Sequence, residues 1–286
     1  MEFLIAGDST LVVRFGKEIS EEINQKVRAF RIATEKHKIK GLIELVPTYC
    51  TVYVFYDPLV ISTKEIIKQL KAIGEEASEA VLPEPNIVEV PVAYGGEHGP
   101  DIENVAKAHD LTVKEVIKRH SGTDYLVYML GFTPGFTFCG GLGDDLATPR
   151  IKDPRLKVPA GSVGIAGKQT GLYAISSPGG WQLIGRTTMR FYNPELEPPC
   201  PVKAGDYLRF VPISAKEFEK HREEVEAADS PPDYSKWEPE GDTVLNVVTP
   251  GALSSIQDRG RYGYQELGIS ASGAMDELAF RLANRI

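Results

Sequence analysis

The stretch VPAGSVGIAGKQTGLYAISSPGGWQLIGRT, residues 158–187, decides the predicted fold because glycine and proline interrupt its apolar runs every few residues. The same pattern extends from Leu126 to Phe210, and helical periodicity vanishes there. Many short strands with dense turns are typical of a closed or nearly closed β-barrel. We therefore predict a β-barrel, with strands over 127–130, 163–166, 172–175, 181–184, 189–192 and 207–211.

Residues 1–82 alternate strand and helix signals, which predicts a small α+β domain in front of the barrel. Apolar residues at helical spacing predict a first helix, and Ser62 with Glu65 forms a capping-box pattern before a second one. Two runs rich in β-branched and aromatic residues, 42–46 and 50–56, predict a strand pair. The fold class is therefore α+β, and the expected order of this domain is β–α–β–β–α.

The barrel domain is predicted over residues 83–228. Its first strand, 87–92, contains Pro91, which cannot donate to a ladder and therefore indicates an edge strand. Two helices are predicted to begin near Asp101 and Thr112, and a third, rich in glutamate, follows the last strand.

The segment that follows the barrel changes in composition. Residues 229–243 are acidic and rich in proline, which predicts a linker, and residues 244–286 stop inside a helical pattern. About forty residues are too few to bury a core of their own. We expect a truncated start of a further domain that is mobile or docks on its own barrel domain or on a second copy of the chain. We expect this segment to expose the apolar residues Leu267, Ile269, Met275, Phe280 and Leu282.

Composition excludes several classes of protein. The 286 residues carry a formal net charge of −8, which argues against a dedicated nucleic-acid binder. No apolar run approaches the roughly 18 residues that span a bilayer, and the N-terminus lacks the features of a signal peptide. The three cysteines are widely spaced and form no CxxC pair, so neither a disulfide framework nor a zinc site is expected. We predict a cytoplasmic protein that binds neither membrane nor nucleic acid.

Positive charge is concentrated between Ala147 and Tyr192, where seven cations accompany one acid, Asp153. Such an excess inside an acidic protein favours an anion, such as a carboxylate or a phosphate. The alternative is that the cations point outward and pair with acids elsewhere. The seven are Arg150, Lys152, Arg155, Lys157, Lys168, Arg186 and Arg190.

Familiar catalytic motifs are missing from the sequence. The run 164–170 resembles a phosphate-binding loop, but Ser162 replaces its first glycine and Gln169 its Ser/Thr. The histidines show no metal-ligand spacing, and Cys139 has no recognisable partner. We therefore expect neither a P-loop nor a metal site.

Two further features allow two interpretations each. The run Gly131–Gly141 contains three phenylalanines among glycines, and these rings either line a pocket or fill the core. The same two alternatives apply to Trp181. His120 ends a predicted helix, where a histidine acts as a C-cap, as a hydrogen-bonded polar group or as a base.

Three runs resemble the family of the 5-oxoprolinase B subunit, which is also known as allophanate hydrolase subunit 1 and includes the sporulation-kinase inhibitor KipI. They are GFTPGF with GGL (131–136 and 140–142), VPAGSVGIAGKQTG (158–171) and SPGGWQLIGRT (177–187). The family is similar to the C and D subdomains of the carboxyltransferase domain, and the resemblance covers about residues 1–215.

The tail resembles a second family, that of the 5-oxoprolinase C subunit, also known as allophanate hydrolase subunit 2 and related to subdomains A and B. The matching runs are TPGAL (249–253), QDRGR (257–261) and SGAMD (272–276). The resemblance implies that the chain ends within the start of this second half.

These resemblances imply a cyclophilin-like β-barrel after the small α+β domain. They also imply an enzyme in which the A, B and C subunits together hydrolyse 5-oxo-L-proline to L-glutamate with ATP, the isolated chain being inactive. One alternative is a regulatory inhibitor of a sensor histidine kinase. Another is part of a biotin-dependent carboxyltransferase or an allophanate-hydrolase-like system.

Within this resemblance we predict roles for individual residues. The substrate is a small anion, so Arg155, Lys168 and Arg186 are expected to stabilise negative charge. Gln169 is expected to recognise the amide and His120 to transfer a proton. The predicted apolar wall consists of Phe132, Pro134, Phe136 and Trp181.

Overall fold

The structure is a computed structural model that describes residues 1–77, 82–228, 248–249, 251 and 255–285. The predicted linker 229–243 lies outside the described residues, as do residues 244–247 at the start of the tail. Within these ranges, no helix combines the length and the apolar composition needed to cross a membrane.

The N-terminal domain is a four-stranded antiparallel sheet with two helices packed against it. The strands are β1 (Glu2–Ile5), β2 (Thr10–Arg14), β3 (Leu42–Pro47) and β4 (Thr51–Tyr56), in the order β1-β2-β4-β3. The helices are α1 (Glu21–Lys36) and α2 (Thr63–Glu76). The predicted β3–β4 pair is confirmed, whereas β1 was not predicted from the sequence.

Alternation along the strands builds the core of this domain. Leu11 and Val13 of β2 and Val52 and Val54 of β4 all point to one face and are fully buried. The helices cover that face with apolar side chains at helical spacing, Val27 and Phe30 from α1 and Ile66 and Leu70 from α2.

The second domain contains a closed barrel of seven strands, which confirms the fold class. Its elements in chain order are β5 (Ile87–Tyr94), α3 (Ile102–Ala108), α4 (Val113–Ser121), β6 (Asp124–Leu130), β7 (Thr137–Cys139), β8 (Arg155–Val158), β9 (Ser162–Ala166), β10 (Gln169–Leu172), β11 (Ser177–Gly179), β12 (Gln182–Arg186), β13 (Tyr207–Ile213) and α5 (Ala215–Ala228). The order around the barrel is β10-β7-β6-β13-β5-β12-β9, and β8 and β11 form a separate pair.

Capping residues set the helix starts in the barrel domain. Thr112 and Glu115 form a reciprocal capping box at α4, and Ser214 and Glu217 form the same arrangement at α5. A 3-10 turn (Gln265–Leu267) and α6 (Glu277–Ala283) lie in the tail.

Three sequence-based strand predictions were wrong. The predicted strand 172–175 shares only Leu172 with β10, and residues 173–175 lie in a loop. β5 is not an edge strand, because β13 pairs with it over residues 87–93 and β12 pairs with its far end. The pairing with β12 involves only Ala93 and Tyr94, so Pro91 is not required to donate on that side. Residues 189–192 form a loop whose apolar character reflects burial, since Phe191 is fully buried in the barrel core.

Candidate functional site

A cleft beside the end of β12 brings three arginines to one cavity of about 180 Å³. We call it the arginine cleft and define it by Arg186, Arg190 and Arg222. The Arg186 Nε atom donates to the Ala160 carbonyl oxygen at 2.9 Å, and its guanidinium lies over the Phe218 ring at 5.9 Å from the ring centre. The remaining lining comes from Gly161, Ala174, Thr187, Thr188, Met189 and Val225.

The charge on Arg186 is partly desolvated and lies close to a second guanidinium. Burial lowers the pKa of Arg186, and the neighbouring Arg222 lowers it further, whereas Glu219 and Glu97 raise it. Arg222 also pairs with Glu219 at 2.6 Å between Nη2 and Oε2. Two like charges therefore meet at the wall of a cavity, with two carboxylates nearby that offset part of their charge.

Arg155 and Lys168 lie outside the arginine cleft and pair with acids. Arg155 Nη2 donates to Asp101 Oδ1 at 2.7 Å, and the other oxygen of this buried carboxylate accepts from the Leu183 N–H at 2.7 Å. Lys168 lies on the exposed β9–β10 turn and pairs with Asp144 at 2.6 Å. The cations that the sequence concentrates between Ala147 and Tyr192 therefore lie at separate places in the barrel domain. Gln169 begins β10 and is half-buried.

His120 is fully buried in the interior of the barrel domain. Its Nε2 atom lies 2.8 Å from Thr170 Oγ1, its Nδ1 atom lies 2.8 Å from the Tyr94 hydroxyl, and its ring stacks on Phe210. Thr170 Oγ1 donates to the Gly164 carbonyl, so the network assigns the proton of neutral His120 to Nε2. Burial lowers the pKa of His120 to about 3, which keeps the ring neutral.

The predicted role of His120 is proton transfer, and its hydrogen bonds to Thr170 and Tyr94 restrict that role. Both ring nitrogens already have partners, so proton transfer needs one of these bonds to open. The role in catalysis stays a prediction, and the observed contacts hold α4 against β5 and β10.

The predicted apolar wall divides between core and surface. Phe136 is 1% exposed and packs its ring against Phe138, Tyr173 and Trp181, with centroid distances of 4.6, 4.8 and 5.4 Å. Pro134 is half-buried in the same loop. Phe132 is 64% exposed at a positive φ of 64°, which is unusual for a bulky residue.

The tail docks on this loop and on the N-terminal domain of its own chain. The backbone N–H groups of Gly263 and Gln265 and the Gln265 side-chain amide all donate to the Glu44 carboxylate, at 3.0, 2.6 and 2.9 Å. Leu267 packs against the barrel core, and its carbonyl accepts from the Gly135 N–H at 2.9 Å. One segment, residues 263–268, therefore contacts both domains.

We expect the Glu44→Gln variant to loosen this segment. Hydrogen bonds to a charged group contribute about 1.5–3 kcal/mol, so hydrogen-exchange protection of the Gly263 and Gln265 amides should fall roughly tenfold to a hundredfold. The exposed Glu18 is the matched control, and Glu18→Gln should leave both amides unchanged. Equal protection in Glu44→Gln and the parent would contradict this assignment.

Glu97, His98 and Glu219 form a group that the sequence spacing did not reveal. Their potential ligand atoms lie within 4.8 Å of one another, although Glu219 comes from α5, far along the chain. Arg222 pairs with one of these carboxylates, and Arg186 lies close to both, so arginines already offset their charge. Arg222 was missed for the same reason: α5 looks like an exposed acidic helix in the sequence.

Comparison with known proteins places the chain among carboxyltransferase relatives. Residues 1–202 match the family described as carboxyltransferase domain, subdomain C and D. The chain is 45% identical over 228 residues to the B subunit of 5-oxoprolinase from Bacillus subtilis, which covers 76% of this chain and 95% of that protein.

Solved structures agree with this assignment. The crystal structure of TTHA0988 matches with a TM-score of 0.77 at 34% identity over 96% of this chain, which spans 52% of that longer chain. Urea carboxylase of Kluyveromyces lactis shares the fold, with a TM-score of 0.63 at 20% identity over 78% of this chain and 22% of that chain. The motifs, the barrel and these relatives together assign the chain to the carboxyltransferase subdomain C and D family, to which it belongs along with the 5-oxoprolinase B subunit.

Proposed function

We propose that the chain acts as the B subunit of an ATP-dependent 5-oxoprolinase. In this function it works with the A and C subunits to open the lactam ring of 5-oxo-L-proline and release L-glutamate. The observation that carries the proposal is its 45% identity to the B subunit of a 5-oxoprolinase, over 95% of that relative. The presence of a cavity lined by arginines supports an anionic substrate.

The chemistry requires activation of an unreactive amide carbonyl. ATP, when bound to the complex, supplies a phosphoryl group for the amide oxygen, and cationic groups stabilise the negative charge of that transfer. The Gly167–Lys168 turn joins two strands, so it lacks the helix N-terminus that follows a phosphate-binding loop. We therefore do not propose this turn as a P-loop for ATP.

Among the residues with proposed roles, Arg186 has contacts that support its role directly, because it lines a cavity. Arg155 and Lys168 would have to leave Asp101 and Asp144 to stabilise a substrate anion. Gln169 remains our proposal for amide recognition and His120 for proton transfer.

The test is ATP-dependent glutamate release from 5-oxoproline by the chain mixed with the purified A and C subunits, with each component omitted in turn. We expect turnover only when all components are present. We expect the chain alone to be inactive. Full activity without this chain, or turnover by this chain alone, would refute the proposal.

A second candidate function is inhibition of a sensor histidine kinase, and the exposed Phe132 favours it. A large ring held on the surface at a positive φ is suited to insertion into a partner protein. The test is autophosphorylation of the kinase with and without the chain. Inhibition that Phe132→Ala abolishes supports this function, and unchanged autophosphorylation excludes it.

A further inference from the structure

We propose that the arginine cleft binds one small oxyanion, a carboxylate or a phosphate group. The proposal deepens the proposed function, since 5-oxoproline carries a carboxylate, but anion binding by the cleft does not depend on it. Three side chains carry the proposal, Arg186 from β12, Arg190 from the following loop and Arg222 from α5.

The first argument is the fixed position of Arg186. The Ala160 carbonyl accepts its Nε–H at 2.9 Å, and the buried Phe218 ring lies against its guanidinium. Restraining one edge of the guanidinium fork lowers the entropy cost of using the other edge for a ligand. A pre-organised fork of this kind matches the two oxygens of a carboxylate or phosphate.

The second argument is the juxtaposition of like charges. Arg186 is half-buried, and Arg222 approaches it closely enough to lower its pKa. Arg222 itself is 48% exposed and pairs with Glu219. A further anion beside the half-buried Arg186 lowers the repulsion that remains between the two guanidinium groups. Glu97 and Glu219 offset part of this charge.

The third argument is the size and shape of the cavity. Gly161 has a φ of 81°, and a Cβ there would collide with the Thr187 carbonyl, so the two turns that wall the cavity approach closely. The resulting volume is about 180 Å³. Pockets for drug-sized ligands are roughly 300–1,000 Å³, so the cleft suits a small anion rather than a nucleotide.

The test is calorimetric titration of the full chain, in the absence of the A and C subunits, with 5-oxoproline and separately with inorganic phosphate at constant ionic strength. We expect one site per chain. Arg186→Gln should weaken it about tenfold to a hundredfold, the loss expected for one charge-assisted hydrogen bond. Arg222→Gln should weaken it in the same direction, and because Arg222 lies on the surface of α5, this variant tests the site if Arg186→Gln fails to fold.

Arg150→Gln is the matched control, because it removes an exposed guanidinium of the same domain outside the cleft. It should bind as the parent does. Binding of 5-oxoproline identifies a carboxylate site, and binding of phosphate alone identifies a phosphoryl site. No binding by the parent, unchanged binding by the Arg186 and Arg222 variants, or equal losses in all three variants would overturn the proposal. Because the titration uses this chain alone, its result is separate from the outcome of the glutamate-release assay.

Discussion

Replacing Phe136 by alanine should lower the free energy of unfolding by about 3–5 kcal/mol. The ring is 1% exposed and contacts four other aromatic rings, those of Phe132, Phe138, Tyr173 and Trp181. The truncation therefore leaves a cavity that these large side chains cannot easily fill. Chemical denaturation monitored by tryptophan fluorescence measures the loss, because Trp181 belongs to the same cluster.

Phe132→Ala is the matched control, since it makes the same truncation in the same loop. Phe132 is 64% exposed, and alanine at this position has the same positive φ. The variant loses the edge-to-face contact with Phe136 at 5.6 Å, so the loss of stability should be about 1 kcal/mol, well below that of Phe136→Ala. A small effect of Phe136→Ala would restore the interpretation of Phe136 as a pocket wall. If Phe132 contacts substrate or a partner protein, its variant loses that function while its stability is retained.

The second large effect is a loss of stability on acidification that originates at His120. Burial lowers the pKa of His120 from 6.5 to about 3 in the folded chain. Between these two pH values, the unfolded chain binds a proton at His120 and the folded chain does not. His120 therefore stabilises the fold fully above this window and progressively less as the pH falls through it. The expected contribution is about 2 kcal/mol lost between about pH 7 and about pH 5.

The measurement is the free energy of unfolding from denaturant titrations at both pH values. His120→Gln should be less stable at neutral pH by about 1–3 kcal/mol, because Tyr94 and Thr170 lose well-placed partners. It should also lose less stability on acidification than the parent. Identical pH dependence in parent and His120→Gln would contradict the burial of a neutral ring.

Local patterns in the sequence determined most of the elements. The Ser62–Glu65 pattern placed the start of α2, because capping depends on residues only three positions apart, and α4 begins after Thr112 as predicted. Glycine and proline between short apolar runs predicted the barrel, because turns interrupt strands at their own positions in the chain. The family motifs, which are also contiguous, identified the carboxyltransferase relatives.

Contacts between distant segments could not be predicted in this way. β5 is an inner strand of the barrel because β13, from the other end of the domain, pairs along its length. Phe191 lies in a loop, and its side chain is buried in the barrel core. The cations between Ala147 and Tyr192 likewise suggested one anion site. In the structure, Arg155 pairs with Asp101 and Lys168 pairs with Asp144, both outside the arginine cleft.

Contiguous patterns were therefore enough to predict most of the elements, the barrel and the family, since each depends on residues close together in the chain. Which charges share a site depends instead on how the chain folds. Arg186 and Arg222 meet because α5 folds back against the end of β12, and Glu44 receives the tail because residues 263–268 return to the N-terminal sheet. The physical reason is that burial and electrostatic pairing depend on distance in space, which spacing along the chain does not contain.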